Sequence, residues 1–163
     1  MAPRRRTARD RDRSDRAPLD GLSRPVASWA LDGRPPRGVP AGFAEPCART
    51  GRDLLRAAAT GSLPPGLRWH LSVDTAAGLL LGLASDAGGF ARDADPALPA
   101  ERLTARVAGT VQDHLAGYEF VQWPACPGHT HLLTPVLSAA GQARWRCRAD
   151  GREPARIGDL TGG

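Results

Sequence analysis

Lysine is absent from this chain and aromatic residues are few: all 22 basic side chains are Arg, and Phe, Trp and Tyr make up 5% of the 163 residues. A bias toward arginine codons explains the first absence, so arginine number alone is no argument for nucleic-acid binding. No apolar run approaches the roughly 18 residues of a membrane-spanning helix, which excludes a membrane protein of that kind. The basic start Arg4-Arg5-Arg6 runs into alternating Arg and Asp instead of an apolar stretch, so it does not read as an export signal. Cysteine is scarce too. Three Cys, an odd number without a secretory leader, argue against a disulfide framework and for reduced or metal-bound thiols in a cytoplasmic protein. A phosphate loop is also missing, because Gly88-Gly89 lacks the spaced glycines or the Lys-Ser/Thr that would give it meaning.

The length suits about one domain, while 19 Gly and 15 Pro approach the loop-rich range. Charge is uneven. Residues 1–40 hold ten Arg against five Asp, whereas residues 41–163 hold twelve Arg against eight Asp and four Glu, so the net charge of +5 sits in the first quarter. With few large apolar side chains to offset the entropy of ordering, residues 1–41 are expected to form a disordered Arg/Asp/Pro-rich tail. Val39 offers an alternative start, which would leave residues 42–163 as the folded part.

Beyond the tail the pattern predicts a helix from Ala44 to Thr60. Cys47, Gly51, Leu54, Leu55 and Ala58 make its apolar stripe, and Arg49, Arg52, Asp53 and Arg56 its solvent face. Leu67, Trp69, Leu71 and Val73 then alternate with Arg68, His70, Ser72 and Asp74, the signature of a half-buried strand. Turns at Asp74–Gly78 and Asp86–Gly89 frame a strand at Leu79–Leu83 and begin another near Phe90. From Pro99 to Gly117, Leu103, Val107, Val111 and Leu115 recur four apart on one helix face, bordered by His114.

The stretch with chemistry is Trp123-Pro124-Ala125-Cys126-Pro127-Gly128-His129-Thr130-His131. Cys126 and His129 are spaced so that one tight turn, shaped by Pro127 and Gly128, presents both to a single ion. Seventeen residues separate His129 from Cys147, within the span that joins two halves of a ribbon-type site. Strands at Leu132–Leu137 and Gln142–Arg148 would return it beside Cys126. Thiolate and imidazole are the donors structural zinc prefers, four in a closed tetrahedron. His131 is the expected fourth ligand; Asp150, in the knuckle-like Cys147-Arg148-Ala149-Asp150-Gly151, is its rival. Without metal, the same hairpin would rest on Trp123 and Trp145 packing over Leu133 and Val136.

Trp123-Pro124-x-Cys126-Pro127-x-His129, His131-x-Leu133, Trp145-x-Cys147 with its knuckle glycine, and Ile157-Gly158-x-Leu160 together resemble the C-terminal part of short uncharacterised actinobacterial proteins. Those end in a Cys-Pro-x-His…Trp-x-Cys zinc-ribbon-like motif. The resemblance covers residues 99–160 and implies no activity. Arg148 departs from it, standing where the pattern has Pro, and the His129–His131 spacing is shorter.

The expected fold is α+β: a helix, a small antiparallel meander, an amphipathic helix and a zinc-ribbon-like hairpin, divided as 1–41, 42–121 and 122–163. The expected function is a non-enzymatic, protein-interaction or regulatory module with structural zinc on Cys126, His129, His131 and Cys147. The alternative is a nucleic-acid-associated ribbon using Arg144, Arg146, Arg148, Arg152 and Arg156 around Trp145. An enzyme is disfavoured, because Cys126 and His129 share one turn with no oriented carboxylate behind them.

Overall fold

The computed structural model describes residues 23–161 except 60 and 62. Among these residues two antiparallel sheets, two α-helices and a short 3-10 helix at Ala41–Phe43 make an α+β fold. The first sheet is a meander of β1 (Ser23–Ala30), β2 (Arg68–Asp74), β3 (Gly78–Ser85) and β4 (Gly88–Asp93), in that spatial order. The second is β5 (Thr134–Leu137), β6 (Ala143–Arg146) and the two-residue β7 (Ala155–Arg156). Helix α1 spans Ala44–Ala58 and α2 spans Ala100–Gly117. No helix among the described residues is long and apolar enough to cross a membrane.

The sheet uses the predicted period of two in β2 as far as Leu71, beyond which Ser72 is buried and Val73 only half-buried: Trp69 pairs with Trp29 on β1 and with Leu83 on β3, and Leu71 with Leu81. Trp69, Leu71 and Leu83 are fully buried, each apolar side chain of this size contributing about 1.5–3 kcal/mol. Across that face runs α2, whose Leu103, Val107, Val111 and Leu115 form the expected stripe. It packs on β3, on α1 and on the second sheet, so one helix joins both sheets. Trp145, Leu133 and Ile157 of the C-terminal segment share one buried cluster with the helices and the meander. Residues on either side of position 121 therefore share a core.

Three expectations are corrected. The tail expected over 1–41 lies outside the described residues up to position 22, but from Ser23 onward the chain is ordered. There β1 pairs with β2, and Trp29 and Leu31 are buried. Only Ala27, Trp29 and Leu31 carry the alternation, among Arg, Asp and Pro that mask it. A chain begun at Val39 would lose this strand. Second, the polar face assigned to α1 is partly interior: Arg49 and Asp53 are buried, while Leu55 and Ala58 are exposed. Gly51 keeps its place because a Cβ there would come within 2.1 Å of the Leu31 carbonyl oxygen. Third, His70, which the alternation puts on the polar face of β2, is half-buried there, and its Nδ1 lies 3.2 Å from Ser28 Oγ.

After α2 the chain turns through Phe120, whose φ is 55° and whose side chain is 86% exposed. A bulky residue in the left-handed region is strained by roughly 1–2 kcal/mol, and its packing repays none of this. Replacing Phe120 by Gly should raise stability by about 0.5–1 kcal/mol after the entropy cost of glycine, as measured by urea denaturation.

Candidate metal centre

Two tight turns build the site. In the first, the His129 amide donates to the Cys126 carbonyl (3.3 Å), and the Cys126 amide to the His131 carbonyl (3.0 Å). Gly128 takes the left-handed φ of 91° that this turn needs. In the second, the Cys147 amide donates to the Arg152 carbonyl (2.8 Å), and the Gly151 amide returns to the Cys147 carbonyl (3.0 Å). The β5–β6 hairpin pairs Thr134 with Arg146 and so delivers the second turn beside the first.

The result gathers Cys126, His129, His131 and Cys147 with all four donor atoms within 4.8 Å of one another. Both sulfurs are buried, His131 is half-buried and His129 is exposed. His129 Nδ1 is 3.3 Å from Cys126 Sγ and 3.4 Å from Cys147 Sγ, and His131 Nε2 is 3.4 Å from Cys147 Sγ. Bonds of about 2.0–2.3 Å to a tetrahedral ion imply ligand–ligand edges of roughly 3.3–3.8 Å, so these separations suit the edges of one coordination tetrahedron. The four residues could therefore hold a metal ion.

The short His129–His131 spacing is reconciled by the choice of ring nitrogen. Their rings stack at 5.1 Å and 16°, with His129 offering Nδ1 and His131 offering Nε2. Different nitrogens let side chains two residues apart reach one point.

Asp150, the rival ligand, lies beside Cys147 but is taken up by Arg152. Its carboxylate accepts from the Arg152 amide at 2.9 Å and from Arg152 Nε at 2.6 Å. The Arg152 amide, the Cys147 thiol and the Arg152 guanidinium hold it well below the usual carboxylate range. Metal titration should accordingly show affinity falling more than tenfold in His131→Ala and less than threefold in Asp150→Ala. Burial, with the neighbouring Cys147 and Asp150, pushes the Cys126 thiol up, so an incoming cation must displace a proton there. Cys47 lies apart on α1, buried, its thiol pushed up by burial alone. His114 is also elsewhere, stacked between Phe90 at 3.8 Å and Tyr118 at 5.3 Å.

Behind the site lies the polar clamp that periodicity missed. Asp53 accepts from Trp145 Nε1 (2.8 Å), the Gly158 amide (2.7 Å), the Leu160 amide (3.0 Å) and Arg56 (3.2 Å). Burial raises its carboxyl against the pull of these donors. Arg49 donates to the Ile157 carbonyl (2.8 Å), the Ala143 carbonyl (3.3 Å) and Glu101 (2.9 Å). From α2, Gln112 donates to the carbonyls of Trp123 (3.1 Å) and Leu133 (2.6 Å). Both helices thus grip the backbone on either side of the two turns.

Burial pushes the Glu101 carboxyl up, but the Ala143 amide, Arg49 and Arg156 outweigh it and hold it below its ordinary value. A carboxylate depressed in the folded state adds stability above its unfolded pKa, about 4.3, and loses it as pH falls through the lower folded value. Glu101→Gln should therefore flatten the loss of stability below about pH 4, as read from denaturation midpoints against pH.

Comparisons of the chain with protein-family models, with curated proteins and with solved structures return no match.

Proposed function

We propose that the chain is a non-enzymatic protein-interaction module of the cytoplasm whose C-terminal end is held by structural zinc on Cys126, His129, His131 and Cys147. The carrying observation is the set of two buried thiols and two imidazoles within 4.8 Å of one another. Paired thiolate and imidazole in a tetrahedral arrangement favour zinc over the hard, oxygen-seeking cations. With four protein ligands no position is left for a reacting water, the arrangement of a structural centre.

Nucleic-acid binding is less well supported. Arg144 and Arg146 are both paired with Glu153, Arg152 with Asp150 and Arg156 with Glu101, while Arg148 donates to Thr134. Three carboxylates, Glu153, Asp150 and Glu101, thus offset part of the charge of the stripe that would track phosphates. Elemental analysis of the protein purified without chelator tests the zinc assignment: one zinc per chain supports it, and a metal-free folded chain overturns it.

A further inference from the structure

We infer that the outer edge of β4, unpaired among the described residues, with the cleft beside it, binds an extended segment of a partner protein as a fifth strand of the meander. The inference rests on reading the chain as an interaction module and names the surface that reading requires.

The meander has two outer edges, and they differ. β1 carries Pro25 and a break in register between Pro25 and Ala27, both devices that blunt an edge against pairing. β4 has no proline and keeps regular register with β3 throughout. Which of its groups face outward follows from the ladder. The Ala94 amide donates to the Leu79 carbonyl at 2.9 Å, so with the register Leu81↔Arg92 and Leu83↔Phe90 the even-numbered residues bond inward. In an antiparallel pair the alternate residues then turn their N–H and C=O away. Gly89, Ala91 and Asp93 therefore offer theirs to the open edge. The Ala91 carbonyl already accepts from Arg92 Nη1 at 3.1 Å, a side chain standing where an incoming backbone N–H would donate.

Beside this edge, between β4 and α2, lies a cleft of about 270 Å³. Phe90, stacked on His114, forms apolar wall at one end; Arg106 paired with Asp93 marks the other. Between them the lining includes Arg92 on the strand and Asp113 on the helix. Among the described residues neither has an ion-pair partner, so the cleft carries one unneutralised charge of each sign. An added strand supplies backbone bonds to the edge and places alternate side chains toward the cleft. The occupant this charge pattern fits is an extended segment whose cleft-facing side chains include an acidic residue for Arg92 and a basic one for Asp113.

The test uses the full-length, metal-loaded chain and a displayed library of random nine-residue peptides. Selected peptides should carry an acidic residue at a fixed position and shift the amide resonances of Gly89, Ala91, Asp93 and the Thr110–His114 turn. Ala91→Pro removes the outward N–H without touching the β3 ladder and should weaken binding at least tenfold. Arg92→Glu should do the same, and a peptide with the acidic residue changed to Arg should recover that loss, which a merely misfolded variant would not allow. Metal content should match the parent chain in both variants. Peptides indifferent to both substitutions would overturn this surface and leave the module reading standing. Failure to select any peptide, or self-association of the chain through β4 in its place, would overturn the inference, and the former would count against the module reading as well.

Discussion

Removing the metal, by chelator or by Cys147→Ser, is expected to lower the Tm by roughly 10 °C. The sign follows from linkage: an ion bound by the folded chain and only weakly by the unfolded one stabilises with the logarithm of its free concentration over Kd, about 4 kcal/mol at a thousandfold excess. In a chain of this size each kcal/mol moves Tm by about 2–4 °C. The geometry also says where the loss is felt. The turns around Cys126 and Cys147 are tied together by their side chains, so their internal bonds, Cys126 amide to His131 and Cys147 amide to Arg152, should exchange fastest once the ion is gone. The Gly158 and Leu160 amides are held by Asp53 and should stay protected longer. Hydrogen exchange with and without chelator checks this pattern. Cys47→Ser, on α1 and away from the cluster, should keep full metal content.

The second large effect is expected at Asp53. Replacing it by Ala leaves the Trp145 indole N–H and the Gly158 and Leu160 amides without their acceptor in a buried place, where each unmade bond costs about 1–3 kcal/mol. Together the loss should reach about 3–5 kcal/mol, the range for a broken buried charged network. Asp53→Asn should cost less, because its one carbonyl oxygen can still take Trp145 and Gly158 while its NH2 group faces the donors of Leu160 and Arg56. Chemical denaturation of both variants measures the costs. Zinc affinity in the folded Asn variant should remain close to the parent's, since Asp53 touches the backbone behind the site and not the ligands.

Asp53 and Arg49 also mark where sequence reasoning stops. Helical period places them opposite Cys47 and Leu54, the side a soluble helix gives to water. Their partners in the C-terminal segment lie 92 to 108 residues along the chain, and no local pattern announces them. The same holds for β1, whose three alternating apolar residues are outweighed by the composition around them. What was legible was local. The meander showed through its period of two and its glycine turns, α2 through four residues at helical spacing, and the gathering of the two Cys and two His through two turn motifs. The choice of His131 over Asp150 followed from ligand chemistry; how two histidines so close in sequence reach one point required the side-chain geometry, Nδ1 of one and Nε2 of the other.

Zinc K-edge X-ray absorption on the purified 163-residue chain reads the coordination of the ion directly. Two sulfur neighbours at about 2.3 Å and two imidazole nitrogens at about 2.0–2.1 Å are expected, with no oxygen bound to the ion. A coordination sphere containing a water or carboxylate oxygen, or only one sulfur, would contradict this ligand set.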